Sequence, residues 1–192
     1  MLFVMKTDSK KRLTKEDWLF AGFRALCDGG PAAIKAEAIA RELKTTKGSF
    51  YWHFADIPAF QREMLLFWQI KATTQLIEAL APYDNNPADQ LYRLIQLMID
   101  LNSDAYGGFK AEPAIRHWAI FLPEAKQAIG NVDRLRLAWL RERFEKIGQE
   151  KEQATINAAN FYALVMGLEQ LELHSKASLK TGLTSALDQM LK

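Results

Sequence analysis

Apolar residues in this chain recur every three or four positions between glycine, proline and hydroxyl-residue stops, and no segment reads convincingly as a strand. That spacing specifies amphipathic helices. Thr14-Lys15-Glu16-Asp17 has the pattern of a capping box, a hydroxyl at the cap and an acid three residues on. It opens a first helix, which Gly29-Gly30-Pro31 stops, since glycine takes left-handed dihedrals and proline cannot continue a helix. A second short helix is predicted from Ala36 to Leu43, and a third from a cap at Thr46 to about His53. A long fourth helix follows from Pro58 to Ala81. Asn86-Pro87 opens a fifth, carrying Leu91, Leu94, Ile95, Met98 and Leu101, which Gly107-Gly108 closes. A short piece at Glu112–Phe121, a long helix from Pro123 to Ile147 and two last helices over 152–173 and 176–191 complete an all-α chain.

Length and composition bound the class. At 192 residues, 49% hydrophobic and 25% charged, the chain suits one globular domain or two small ones. A single cysteine excludes an intramolecular disulfide framework and fits a reducing compartment. The longest apolar run, Phe161 to Leu168, is far short of the roughly 18 residues of a membrane span. The apolar start Met1–Met5 is too short for a signal-peptide core. The expectation is a soluble cytoplasmic protein without a membrane partner. Charge is uneven: residues 1–60 hold ten Lys/Arg against seven Asp/Glu, and the rest fifteen against sixteen. The excess lies mostly in Lys6, Lys10, Lys11, Arg12 and Lys15. Such an arm either supplies phosphate contacts or is a solubilising terminus.

Residues 14–54 hold the informative motif. Two short helices joined by Lys44-Thr45-Thr46, the second capped by Thr46, match a helix-turn-helix. The second reads Lys47-Gly48-Ser49-Phe50-Tyr51-Trp52-His53. Phe50 and Phe54, four apart, should face the core. The polar and aromatic residues between them can reach phosphates and base edges in a major groove.

Ile39-Ala40-Arg41-Glu42-Leu43 followed by Thr45-Thr46-Lys47-Gly48-Ser49-Phe50-Tyr51-Trp52-His53-Phe54 closely resembles the DNA-binding signature of the tetracycline-repressor (TetR) family. The resemblance implies a homodimeric regulator, usually a repressor, that a small molecule releases from a palindromic operator on double-stranded DNA. It makes Lys47, Gly48 and Ser49 base-reading candidates, and Tyr51 and His53 phosphate contacts. Tyr51 could alternatively pack its ring under the helix, His53 could cap its end, and Trp52 could either contact base or backbone or pack. Three positions depart from the pattern. Lys35 stands where a hydroxyl usually caps the second helix, and an ammonium cannot accept the cap's hydrogen bonds, although its charge can reach a phosphate. Lys44 replaces the turn's usual glycine, and Ile57 a common phosphate-binding lysine.

Beyond residue 57 the sequence offers a cavity and a dimer face. The resemblance makes Glu112–Trp118 a cavity-lining segment, with Arg116, His117 and Trp118 as ligand candidates; Trp118 could equally be core, and His117 could satisfy a buried carbonyl. Phe67, Trp68, Trp139, Tyr162 and Met166 are further wall candidates, in a largely apolar cavity for a small apolar effector. Helix 123–147 is apolar on more than one side and carries Arg134, Arg136, Arg141 and Arg143, read as a solvated or ion-paired face, with an inward arginine as the alternative. Ala159, Ala163 and Gly167 form a row at i+4 spacing that allows close helix approach. With Leu171, Leu183 and Leu187 they make the expected homodimer interface.

Enzyme readings fare poorly. His53, His117 and His174 are isolated, no metal-ligand spacing or phosphate loop occurs, and Cys27 reads as a small core residue. No metal or cofactor is expected. The sequence therefore divides into a DNA-binding helix-turn-helix domain with a basic arm (1–57) and a helical ligand-binding and dimerisation domain (58–192). The alternative is a helical small-molecule carrier whose helix-turn-helix is only architectural.

Overall fold

The computed structural model of the chain describes residues 13–100, 106–171 and 176–192. Lys6, Lys10, Lys11 and Arg12 of the basic arm, together with Leu101 and His174, lie outside them. Every regular element among the described residues is helical.

Helix α1 (Lys15–Gly29) starts with the expected capping box: the Asp17 amide donates to Thr14 Oγ1 at 3.2 Å, and the Thr14 amide to Asp17 Oδ2 at 2.7 Å. It ends at Gly30, whose φ of +68° suits glycine and whose amide donates to the Leu26 carbonyl. Its buried face, Trp18, Leu19, Phe23 and Leu26, meets α2 (Ala36–Glu42), α3 (Lys47–Tyr51) and α4 (Ile57–Gln69). Gly22 lets α1 lie close on α4: a β-carbon there would sit 2.5 Å from Phe60 Cζ.

The single helix expected over 58–81 is broken. A π turn, Ile70–Thr74, separates α4 from α5 (Gln75–Leu80), and a 3-10 turn, Ala81–Tyr83, follows. Ile70, Thr73 and Thr74 are β-branched and poor at sustaining a helix. The wider turn buries the Thr73 side chain. Helices α6 (Pro87–Asp100), α7 (Ala111–Trp118), α8 (Pro123–Lys146), α9 (Lys151–Gln170) and α10 (Lys176–Met190) complete the chain.

Two apolar clusters result. The first joins α1–α4 to Ile115 and Trp118 of α7 and to Ala125, Ala128 and Val132 of α8. The second holds α5, α6, the end of α8, α9 and α10 together around Leu91, Phe144 and Phe161. Helix α8, apolar on more than one side, spans both clusters, while its Leu135 is 53% exposed. Phe121 likewise stands in solvent beside exposed Ile120.

Candidate DNA-binding face and ligand cavity

Helix α3 is held by its ends and one aromatic face. Thr46 Oγ1 accepts from the Ser49 amide at 3.3 Å, and Phe50 is fully buried, edge-on to Trp18 and Phe60. The helix is shorter than expected, closing at Tyr51, so Trp52 and His53 sit in the turn that follows. Anchored from below, α3 turns its other side outward. Tyr51 is 49% exposed and Trp52 is 85% exposed, which removes packing as the reading of Trp52. Lys47 and Gly48 are exposed too, whereas Ser49 is half-buried. The half-buried His53 ring lies 6.2 Å from that of Trp18.

The three departures from the pattern each have a structural form. Lys35 occupies the N-cap of α2 with no side-chain cap bond. Lys44 has φ of +52°, the left-handed value that glycine would take without strain. Ile57 opens α4 without charge, and the residue before it supplies what the helix end needs: Asp56 Oδ1 accepts from the Ala59 amide at 2.6 Å. That carboxylate partly cancels the positive helix end that would otherwise favour a phosphate.

Lys47 is not a bare cation. Its ammonium pairs with Glu37 on α2 and lies 6.0 Å from the Tyr51 ring centroid. The Lys47 hydrogen bond holds the Glu37 carboxyl below its ordinary range, and Glu37 in turn raises Lys47. Both stay charged at neutral pH.

A cavity of about 160 Å³ opens between the α4–α5 break and helices α6 to α9. Trp68, Trp139, Tyr162 and Met166 line it. Phe67, Arg116, His117 and Trp118 do not; Phe67 packs against the first cluster. The wall takes Ala111 and Glu112 from the first turn of α7, and the helix then rotates the later residues away. Trp118 is buried in the amino-terminal cluster, and His117 is exposed against Phe121. Arg116 stands behind the wall, donating to the Tyr162 hydroxyl at 2.9 Å.

One pole of the cavity is ionic. Arg136, expected on a solvated or ion-paired face, has a side chain only 17% exposed and is turned inward. Its Nη1 donates to both oxygens of Glu112 (3.0 and 2.9 Å) and to Tyr162 (3.1 Å). Its Nε donates to Thr73 Oγ1, and its Nη2 to the Ala72 carbonyl in the π turn. Arg116 bridges Glu112 and Asp133 at 2.7 and 2.6 Å, and Tyr162 donates to Asp133 Oδ1 at 2.7 Å. Two guanidiniums and two carboxylates therefore neutralise each other. Burial disfavours the charged form of all these groups. For Arg136 and Arg116 the carboxylate partners outweigh it and raise the pKa; for Asp133, hydrogen bonds from Arg116 and Tyr162 outweigh it and lower the pKa. Burial raises the Tyr162 phenol, against the opposing pull of Arg136, so it stays a donor.

The expected dimer residues separate into two sets. Ala159, Ala163, Gly167 and Leu171 lie on the exposed side of α9 and its end, and a β-carbon at Gly167 would meet nothing within 4 Å. Leu183 and Leu187 are completely buried in their own protomer's second cluster, so they are unavailable to a partner. The stripe they form on α10 is covered by the chain itself.

Residues 19–60 match the family model "Bacterial regulatory proteins, tetR family". The amino-terminal segment is a TetR-type helix-turn-helix. No curated protein matches the chain in sequence. The fold of the whole chain is that of TetR-family regulators. A transcriptional regulator from Rhodococcus sp. Rha1 superposes with TM-score 0.72 at 18% identity, over 93% of this chain and 96% of its own. A TetR regulator from Legionella pneumophila gives 0.70 at 16% identity over 94% and 98%. The reduced form of NemR from E. coli gives 0.65 at 22% over 92% and 94%. No helix among the described residues is long and apolar enough to cross a membrane.

Within this TetR fold, residue-by-residue reading passed over Glu37, Asp56 and Glu112 among the charged groups. Glu37 was visible only as a polar residue on a short helix. Its spacing of ten from Lys47 carries no local signal, because the turn between α2 and α3 brings the two together. Glu112 stands in the sequence only as the first residue of the cavity segment.

Proposed function

We propose that the protein is a homodimeric DNA-binding transcriptional repressor, released from its operator by a small molecule held in the cavity. One observation carries the reading: α3 is anchored by Phe50 yet presents Lys47, Tyr51 and an 85%-exposed Trp52 to solvent, a costly surface for a chain that does not use it. Residues 1–57 form the DNA-binding domain and 58–192 the effector and dimer domain. Lys47, Gly48 and Ser49 meet base edges, and Tyr51, His53, Lys35 and Thr46 meet the backbone. Trp52 contacts the base or sugar surface. Ala159, Ala163, Gly167 and Leu171 form the two-fold contact, and this symmetry requires a near-palindromic operator.

The test is duplex binding across a salt series, on operator fragments selected from genomic DNA and on scrambled duplex. Lys47→Ala should reduce discrimination by roughly 1–3 kcal/mol if it meets a base. Tyr51→Phe should weaken all duplexes alike by about 1 kcal/mol. Wild-type affinity in both variants on both duplexes overturns the placement of α3 in the groove. Salt-independent or undetectable duplex binding leaves a small-molecule carrier instead.

A further inference from the structure

The cavity's shape and its unused hydrogen-bonding capacity together specify a ligand class. Five aromatic rings, Trp68, Tyr106, Phe109, Trp139 and Phe161, stand on the wall with Tyr162 at the ionic pole. The volume of about 160 Å³ is close to that of an engineered apolar cavity that takes up benzene, about 150 Å³. One ring with a short substituent fits that space.

The polar pole is nearly saturated. Glu112 Oε1 accepts from Arg116 Nε, Arg116 Nη2 and Arg136 Nη1. Among the described residues, Glu112 Oε2 accepts from Arg136 Nη1 alone, and Arg136 Nη2 donates to the Ala72 carbonyl alone. A carboxylate oxygen has room for a second donor, and a guanidinium NH₂ has a second N–H. Glu112 Oε2 and Arg136 Nη2, on two residues of the cavity wall, therefore each keep one position for a ligand, an acceptor and a donor. Its charges already cancel, and Lys71, also on the wall, is paired with Glu16 at 3.7 Å. An ionic ligand would lose its hydration without meeting an uncompensated counter-charge.

We infer that the effector is an uncharged, single-ring aromatic alcohol, a phenol in its simplest form, whose hydroxyl donates to Glu112 Oε2 and accepts from Arg136 Nη2. A hydroxyl supplies both complementary groups on one atom, and the ring occupies the aromatic wall. The inference rests on the reading of this cavity as the effector site.

Calorimetric titration of the purified full chain with p-ethylphenol, ethylbenzene, p-ethylbenzoate and phenyltrimethylammonium tests it. The phenol should bind about tenfold or more tightly than ethylbenzene, the difference a hydrogen bond to a charged group supports. The two ions should bind more weakly than either. Equal binding of phenol and ethylbenzene, tighter binding of either ion, or no binding by any probe overturns the inference. Glu112→Gln should bring the phenol-to-ethylbenzene ratio towards one while ethylbenzene binding persists; an unchanged ratio overturns the placement of the hydroxyl. The wild-type series decides the ligand class even if this variant does not fold. The same samples are then tested for release of bound duplex. Phenol binding by a chain that never bound duplex overturns the repressor reading and leaves the cavity inference standing. Duplex binding with the ligand order reversed does the opposite.

Discussion

Glu37→Gln is the sharpest perturbation of the proposed DNA-binding face. In the free protein the Lys47 ammonium pairs with Glu37, both side chains about half exposed at 51% and 56%. A phosphate backbone approaching α3 therefore meets a neutralised cation with a carboxylate beside it. The amide removes the negative charge and leaves Lys47 as a net positive group. Each phosphate that a protein cation neutralises releases condensed counterions and adds about 0.9 to the slope of log K against log salt. One newly effective cation per protomer gives up to about 1.8 for a two-fold dimer. At low salt the variant should bind random duplex more tightly than the wild type. The operator should gain less, because loss of the pair also frees Lys47 from the orientation in which it would read a base. The variant should bind more tightly and discriminate less.

Fluorescence anisotropy of labelled operator and scrambled duplex, titrated at several KCl concentrations, measures slope and affinity together. Glu145→Gln is the charge-matched control, since Glu145 pairs with Arg141 on α8, far along the chain from α3. The melting temperature of Glu37→Gln should stay near that of the wild type, because exposed ion pairs contribute at most about 1 kcal/mol. A slope equal to that of the wild type, or a change no larger than in the control, refutes the argument: Lys47 would then not face phosphate, or Glu37 would not restrain it.

Three further outcomes follow from the packing. Gly22→Ala places a methyl 2.5 Å from Phe60 Cζ and 2.9 Å from Met64 Sδ, and should destabilise the protein by about 1–3 kcal/mol in denaturant titrations. Gly167→Leu meets nothing within the protomer and favours the helix by up to roughly 1 kcal/mol, so the protomer should be no less stable while sedimentation shows a weakened dimer. Asp133 has a folded pKa below its unfolded value of about 4, so its charge contributes stability that is complete above that pH and lost as pH falls through the lowered value. Asp133→Asn should accordingly melt below the wild type at neutral pH and approach it in acid; a gap independent of pH would contradict the ion-pair account.

What was legible in the sequence was the chemistry that acts within one turn. The Thr14 box, the Gly30 stop and the Thr46 cap each depend on residues a few positions apart, and each is present in the fold. The buried pair Phe50 and Phe54 followed from i,i+4 spacing in the same way. Which way a helix faces when it has more than one apolar side is a different question. Ile115 precedes Arg116, and Leu135 and Leu137 flank Arg136; only the docking of α7, α8 and the π turn puts Arg136 on the cavity wall and Arg116 behind it. Leu183 and Leu187 looked like a seam for a second copy because a stripe on one helix does not say whether its cover comes from the same chain. The π turn was hidden because periodicity counts apolar positions, and one wide turn shifts their phase without removing them.

Helix α7 belongs to both halves of the molecule at once, and that bears on how a ligand could be felt at the DNA. Ile115 and Trp118 are buried in the cluster that contains α1 and the anchor of α3, while Glu112 lies on the cavity wall. The segment leading into α7 is equally constrained: Gly107 has φ of +104°, and a β-carbon there would lie 2.6 Å from the Cys27 sulfur on α1. A ligand shifts a conformational equilibrium only by the difference in its affinity for the two states. The apolar wall can accommodate a ring with little directional preference, whereas the Glu112–Arg136 contact is directional. In the proposed mechanism a hydroxyl competing for those two groups alters contacts that tie the start of α7 to α8 and to the π turn. The other face of α7 is packed against α1, so in this mechanism a change in its seating acts on α1, whose Trp18 lies edge-on to Phe50, the anchor of α3.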